Sequence, residues 1–187
     1  MRPQVESGYY DHAPGALIRT GSPTDIAIGG DGFFVIGAPW GEGYTRDGRF
    51  TLDKEGQLVT VSGNYPVLGE QGPIVLPAGS RMDVSPAGEV KVDGAVVDKI
   101  RLVTVADKKM LEPVSGAIFR VVASEGQIEE VLSPKVIQGY IESSNVRMVD
   151  EMMNLVMVSR LYGINVKLVQ TRDGNLARAL EMGRPTQ

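Results

Sequence analysis

A proline-free run extends from Arg147 to Gly183 and follows a body of short apolar segments separated by turn residues. The Ser-Ser-Asn segment at 143–145 offers N-cap side chains directly before the run. Asp150 and Glu151 fall in the first turns, where the positive end of the helix dipole favours carboxylates. The pattern therefore predicts one long C-terminal α-helix.

Apolar side chains recur along this helix with heptad spacing. Eight of the ten positions that alternate spacings of four and three residues are apolar, which is typical of a helix–helix contact. We call these eight residues the seam: Met148, Met152, Leu155, Tyr162, Val166, Val169, Leu176 and Leu180. A second apolar stripe lies beside the seam: Met153, Met157, Leu161, Ile164 and Leu168. Two adjacent stripes are wider than one partner helix requires, so we predict that the seam is an assembly interface. The alternative is a core helix that packs on its own domain.

Residues suited to catalysis or metal binding are scarce. The 187 residues include no cysteine and one histidine, His12, which excludes disulfides, cysteine nucleophiles and histidine metal clusters. The glycine-rich segment 29–32 lacks the Gly-Lys-Ser/Thr ending of a phosphate-binding loop, and a predicted strand follows it instead of a helix. Asp47, Asp53 and Glu55 do not have the spacing of a calcium loop. We therefore predict a protein that is not an enzyme, with no catalytic residue, no metal and no cofactor.

Charge and hydropathy bear on possible partners. The net charge is −4 and the sequence pI is about 5.1, so there is no electrostatic case for nucleic acid binding. No segment approaches the roughly 18 consecutive apolar residues of a membrane span. The N-terminal Met1-Arg2-Pro3-Gln4 also lacks the apolar core of a secretory signal. We expect no nucleic acid partner, no direct membrane insertion, and any export to proceed without a cleaved signal peptide.

The body before the helix is predicted to be β-structure. Short apolar segments with turn signals between them indicate a mainly β fold, a compact antiparallel barrel or sandwich-like body. Asp47-Gly48 is predicted to form a two-residue hairpin turn, and Glu55-Gly56 to form the next turn. We predict three regions: an irregular leader at 1–24, a β-rich domain at 25–136, and a turn with the long helix at 137–187.

The aromatic residues of the body have two expected roles. Phe33, Phe34, Phe50 and Phe119 lie in predicted strands and are expected in the core. Trp40 lies between Pro39 and Gly41 on a predicted loop, where an exposed tryptophan can anchor a partner.

Several separated motifs resemble those of the flagellar basal-body rod and hook proteins, in the expected order. The first are Asp-Gly-Phe-Phe-Val at 31–35 and Tyr-Thr-Arg-Asp-Gly-Arg-Phe at 44–50. The segment 56–74 continues the resemblance with Gly-Gln-Leu-Val-Thr and Asn-Tyr-Pro-Val-Leu-Gly. Gln-Gly-Tyr-Ile-Glu-Ser-Ser-Asn-Val at 138–146 and the helix after it complete the resemblance.

The resemblance implies a structural subunit of the flagellar drive shaft that transmits torque. Its partners would be other rod subunits and copies of itself in a helical array, with type III export to the periplasmic rod of the basal body. The resemblance also implies that the β-rich domain forms the outer wall and that the C-terminal helix lines the inner layer.

Two questions stay open at the level of sequence. The short connection between 66–69 and 73–74 favours the proximal-rod members of the family, with the distal-rod and hook-type members as the runner-up. The family's N-terminal helix and Asn-Asn-Leu-Ala-Asn-like motif have no match here, so we expect Met1 to begin after that segment. The alternatives outside the family are a β-domain binding module with a coiled-coil dimerisation helix, and a hydrolase with an acidic pair on the β-body.

Overall fold

The computed structural model describes residues 14–77, 79–121, 128–146 and 148–182. The chain divides into two compact units between Asn145 and Val146. The first unit is rich in β-strands, and the second contains the helix.

The described elements are short strands followed by one helix. The strands are β1 Leu17–Arg19, β2 Ile26–Ile28, β3 Phe33–Ala38, β4 Gly41–Thr45, β5 Phe50–Leu52, β6 Leu58–Thr60, β7 Met82–Val84, β8 Glu89–Val92, β9 Ala95–Lys99, β10 Leu102–Val105, β11 Leu111–Ser115, β12 Ile118–Val121, β13 Ile128–Glu130, β14 Val136–Gln138 and β15 Tyr140–Glu142. A single turn of 3-10 helix occupies Lys108–Met110, and the helix α1 spans Met148–Met182.

The strands pair in antiparallel sheets. The largest sheet has the order β11-β12-β4-β3-β10-β13, and a second sheet has the order β7-β8-β9. Three two-stranded ribbons join β1 with β15, β14 with β2, and β5 with β6. A mainly β body followed by one long helix is confirmed. Within the described residues the sheets are open, so "barrel" is too strict a term for the body.

Strand β3 organises the core because both of its faces are buried. Phe34 and Ile36 belong to one apolar cluster, and Phe33 and Val35 belong to another. Successive side chains of a strand point to opposite faces, so a continuous apolar run indicates burial on both sides. The ring of Phe34 contacts that of Phe50 edge to face, with centroids 5.1 Å apart. Phe33, Phe34 and Phe50 are fully buried as predicted. Phe119 is only half-buried, but its ring contacts Phe33.

Two hairpin turns follow directly from local sequence. The predicted turn at Glu55-Gly56 joins β5 to β6, and the Asp53 carboxylate accepts hydrogen bonds from the backbone N–H groups of Glu55 and Gln57. Between β8 and β9 the turn residues are Asp93 (φ 50°) and Gly94 (φ 90°). Positive φ at both positions is what a type I′ turn requires, and Asp-Gly supplies it at low cost.

The predicted hairpin at Asp47-Gly48 is wrong. Strand β4 pairs with β3 and β12, whereas β5 pairs with β6, so no hairpin joins β4 to β5. The carbonyl oxygen of Gly48 instead accepts a hydrogen bond from the Ile26 N–H at 2.9 Å. A Cβ on Gly48 would overlap the carbonyl oxygen of Ile26. This glycine therefore permits the close approach of two backbone segments.

The N-terminal side of the body is joined to the segment just before the helix. Ribbon β1–β15 pairs Leu17 with Glu142 and Arg19 with Tyr140. Strand β1 lies inside the segment 1–24, in which the sequence shows no period; residues 1–13 of that segment lie outside the described residues. A three-residue strand with all side chains exposed leaves no alternating pattern in a sequence, which is why it was not predicted.

Candidate assembly interface

The seam residues that the structure describes on α1 are exposed apolar side chains. Met152, Leu155 and Tyr162 are 61%, 72% and 71% exposed, and Val166 and Val169 are 37% and 59% exposed. Met148, Leu176 and Leu180 lie on the same helix, but their side chains fall outside the described part of the chain. Contiguous exposed apolar side chains are typical of interaction surfaces, so the seam stays a predicted assembly interface.

The apolar surface of α1 is broader than the two predicted stripes. Every member of the second stripe is more than half exposed. Val149, Val156 and Val158, which belong to neither stripe, are also exposed. At 100° per residue, the apolar residues between 149 and 169 occupy most directions around the helix axis. A helix that is apolar all round is suited to being surrounded by other elements.

The first turns of α1 are rich in methionine. The side chains that line a shallow groove there are those of Val149, Met152, Met153, Val156, Met157 and Arg160. Methionine is unbranched and polarisable, so it adapts to partner surfaces of different shape.

Within the body, an ion pair holds the strand that precedes the helix. The Arg46 Nε donates to Glu142 Oε2 at 2.8 Å, and the Arg46 Nη2 lies 2.8 Å from the same oxygen. Two other N–H groups of this guanidinium donate to the backbone oxygens of Gly30 and Gly32. Glu142 Oε1 in turn accepts a hydrogen bond from the Gly15 N–H at 2.8 Å. We call this arrangement the Arg46–Glu142 latch.

The latch is well suited to holding strand β15 against the rest of the body. The side chains of Arg46 and Glu142 are 15% and 11% exposed, so solvent screens their attraction poorly. Charge-assisted hydrogen bonds are about twice as strong as neutral ones. Four separated parts of the chain therefore meet at one guanidinium–carboxylate pair: the start of the described chain, the glycine-rich loop, the end of β4 and β15.

A second tie is formed by the side-chain amide of Gln138. Its Oε1 accepts from the Val84 N–H at 3.0 Å, and its Nε2 donates to the carbonyl oxygens of Pro23 (2.7 Å) and Met82 (3.1 Å). The next residue, Gly139, donates its N–H to the Asp25 carbonyl oxygen at 2.8 Å. The segment before the helix is thus bonded to both β7 and the N-terminal part of the body.

The one strongly perturbed titratable group described in the body is a buried tyrosine. Burial, together with the neighbouring Glu42 carboxylate, raises the pKa of Tyr44 to about 12. Its hydroxyl donates to Glu42 at 3.2 Å, and Arg101 donates two hydrogen bonds to the same carboxylate. A phenol with a raised pKa stays protonated at neutral pH, so this arrangement supports packing rather than acid–base chemistry.

Among the residues that the structure describes, no three or more His, Cys, Asp or Glu side chains are grouped so that they could hold a metal ion. No helix in the described part of the chain combines the length and apolar character needed to cross a membrane.

Sequence reasoning assigned no role to Arg46, Glu142 or Gln138. All three lie inside the motifs that carry the family resemblance, and that membership was the only available signal. Their pairing partners are distant in sequence: Arg46 and Glu142, for example, are 96 positions apart.

Comparisons with known proteins agree with the arrangement of motifs. Residues 27–92 match the family model described as the flagellar hook protein FlgE/F/G D1 domain. Residues 137–182 match the model of the flagellar basal body rod FlgEFG protein C-terminal region. The latch therefore joins the two matched regions, because Arg46 lies in the first and Glu142 in the second.

Individual relatives are flagellar rod proteins as well. The chain is 36% identical to the flagellar basal-body rod protein FlgF of Rhizobium meliloti, a match that spans 89% of this chain and 70% of the relative. It is 33% identical to FlgF of Salmonella typhimurium, across 92% of this chain and 73% of the relative. It is 31% identical to the rod protein FlgG of Buchnera aphidicola from Acyrthosiphon pisum, across 91% and 69% of the two chains. The chain belongs to the family of flagellar basal-body rod proteins of the FlgF/FlgG type.

Proposed function

We propose that this protein is a structural subunit of the bacterial flagellar rod, and that it assembles with other rod subunits and with copies of itself through the seam of α1. The single observation that carries the proposal is the 35-residue helix, whose described seam side chains are exposed and apolar. Neither a hydrolase nor a non-flagellar binding module is favoured by membership of a family of structural rod proteins.

Energetics favour the seam over surface charges as the source of assembly. Full burial of one methionine or leucine contributes roughly 1.5–3 kcal/mol. An exposed ion pair contributes roughly 0–1 kcal/mol. One fully buried seam residue therefore contributes more than a typical exposed ion pair.

The structural roles proposed for the two parts of the chain follow the predicted regions. The β-rich domain at 25–136 would form the outer wall, and 137–187 would supply the inner, helical layer. A shaft that transmits torque needs rigid joints, and the latch and the Gln138 tie supply such joints at the segment before the helix. We further propose a periplasmic position reached by type III export without a cleaved signal, and a proximal, FlgF-type place in the rod.

The seam is tested by the double substitution Met152→Asp/Leu155→Asp in the full chain. Charged side chains cannot be buried against neighbouring helices, so we expect association, measured by light scattering, to fall at least about tenfold. Circular dichroism should show that the β-body stays folded.

A charge-matched control separates the seam from a general effect of added charge. Asn154→Asp/Asn165→Asp adds the same two negative charges at exposed polar positions of α1 outside both stripes. This control is expected to associate as the unchanged chain does. If Met152→Asp/Leu155→Asp unfolds the body as well, α1 is a core helix and the proposal is wrong.

A further inference from the structure

A groove on the body is lined by two arginines that form no ion pair with any residue that the structure describes. It has a volume of about 330 Å³ and lies beside the end of β1 and the start of β7. Arg19 and Arg81 both line it, together with Ser22, Gln138 and Tyr140. We call it the Arg19–Arg81 groove.

The two groove arginines differ from the other described arginines of the body. Each of the others forms an ion pair with a carboxylate: Arg46, Arg49, Arg101 and Arg120. Within the described residues, neither Arg19 nor Arg81 forms one, although Asp83 lines the same groove. Two guanidinium groups that share a groove repel each other, and an incoming carboxylate would relieve that repulsion. The protein as a whole is acidic, so these charges do not reflect the average composition.

A complementary surface exists elsewhere on the same body. Strand β13 lies at the edge of the six-stranded sheet and exposes Glu129 and Glu130. Glu130 lies 3.7 Å from the Arg101 Nε, whereas Glu129 forms no ion pair with any described residue. An edge strand also presents unpaired backbone groups to a neighbour.

We propose that the Arg19–Arg81 groove receives Glu129 from the edge strand β13 of a second copy of this chain. The contact joins two different patches, so it is head-to-tail, and such contacts build open arrays instead of closed dimers. Guanidinium groups bind carboxylates through two parallel hydrogen bonds, which would set the register between the copies. The inference rests on the proposed function in that it concerns subunit-to-subunit contact, but it uses the body and not the seam.

Charge reversal across the contact provides the first test, on the full chain at low ionic strength. Arg19→Glu/Arg81→Glu and Glu129→Arg are each expected to weaken association about tenfold in sedimentation velocity, because like charges then face each other. The triple variant with all three substitutions is expected to regain most of the association. Lys54→Glu/Lys135→Glu is the control, since it applies the same charge change as the groove reversal at two exposed lysines in no described ion pair.

A covalent readout identifies the partner. In an Arg81→Lys variant, a carbodiimide can form an amide between the new amine and a carboxylate in contact with it, with loss of water. Mixing isotopically heavy and light chains shows by mass spectrometry whether the Glu129 crosslink joins two copies. A crosslink between copies at Glu129 supports the proposal, and a crosslink only within one chain, or to other carboxylates, overturns it.

The outcomes separate this inference from the proposed function. If the groove reversal associates like the unchanged chain, or if the folded triple variant does not recover, the groove contact is wrong. The seam proposal is then tested separately by the variant Met152→Asp/Leu155→Asp. If that seam variant associates normally while the groove reversal does not, the body contact stands and the seam proposal is wrong.

Discussion

Arg46 and Glu142, which are 96 residues apart in sequence, form a guanidinium–carboxylate pair at 2.8 Å, and Glu142 ends β15, the last strand in the chain before the long helix. The pair joins the end of β4 to β15, and β15 is also the partner of β1. Because both side chains are mostly buried, removal of one leaves the other as an uncompensated charge in a poorly solvated site.

We therefore predict that Arg46→Met lowers the free energy of unfolding of the body by about 3 kcal/mol. Methionine keeps much of the apolar stem but removes the donors to Glu142, Gly30 and Gly32. Urea unfolding followed by circular dichroism measures the change. The matched control is Arg49→Met, whose ion pair with Asp47 is exposed on the arginine side and should contribute about 0–1 kcal/mol. Equal losses in the two variants would contradict a special role for the latch.

Gly48 is predicted to be intolerant of even one added methyl group. A Cβ at this position would overlap the backbone oxygen of Ile26, and backbone cannot move aside as a flexible side chain can. Gly48→Ala should therefore lower the free energy of unfolding by about 3 kcal/mol or more. Losses this large typically come from steric overlap or from unsatisfied buried polar groups. Gly30→Ala is the control, because nothing lies within 4 Å of a Cβ there. Thermal unfolding of both variants compares them, and a mild effect of Gly48→Ala would mean that β2 and the segment after β4 are less closely apposed.

The stability of the body is predicted to depend on the side-chain amide of Gln138. Its Nε2 donates to two carbonyl oxygens, so a carboxylate at this position would place negative charge against both. Gln138→Glu should destabilise the body at neutral pH by about 1–3 kcal/mol and recover part of that loss in acid, where the carboxyl can donate a proton. Gln138→Ala should be destabilised without that recovery. Urea unfolding at two pH values makes the comparison, and identical pH dependence in the two variants would exclude this explanation.

Tyr44 is predicted to make the body less stable as the pH rises into the alkaline range. Its pKa is raised to about 12, chiefly by burial, whereas an unfolded tyrosine titrates near its ordinary value of 10. The folded state therefore holds this proton more tightly, so the stability it confers is complete below pH 10 and is lost as the pH rises towards 12. An ultraviolet titration of phenolate should show a late-titrating component that is lost in Tyr44→Phe. The variant should also lose less stability than the unchanged chain between pH 10 and 12; an unaltered titration would show that another phenol is responsible.

Two of the Asp-Gly pairs in the chain, at 47–48 and 93–94, show how far local sequence could predict the fold. Asp93-Gly94 forms the tight turn that such a dipeptide favours, and its neighbouring strands pair with each other. Asp47-Gly48 has the same residues, but its flanking strands pair elsewhere, and its glycine serves a backbone contact with Ile26. A local pattern predicts a turn only when the strands on both sides find their best partners in each other.

Features that depend on local periodicity could be predicted from the residues alone. The long helix, the apolar run of β3 and the turn at Glu55-Gly56 each follow from residues close together in the chain. Features that depend on distant partners became known only from the three-dimensional structure. The pairing of β1 with β15, the Arg46–Glu142 latch and the three bonds of Gln138 require segments more than 50 residues apart to meet. The spacing of apolar side chains along a strand or helix shows which of its faces is buried. Which segments bury those faces together depends on the entropy of chain closure and on the pairing of buried polar groups, and neither can be read from local spacing.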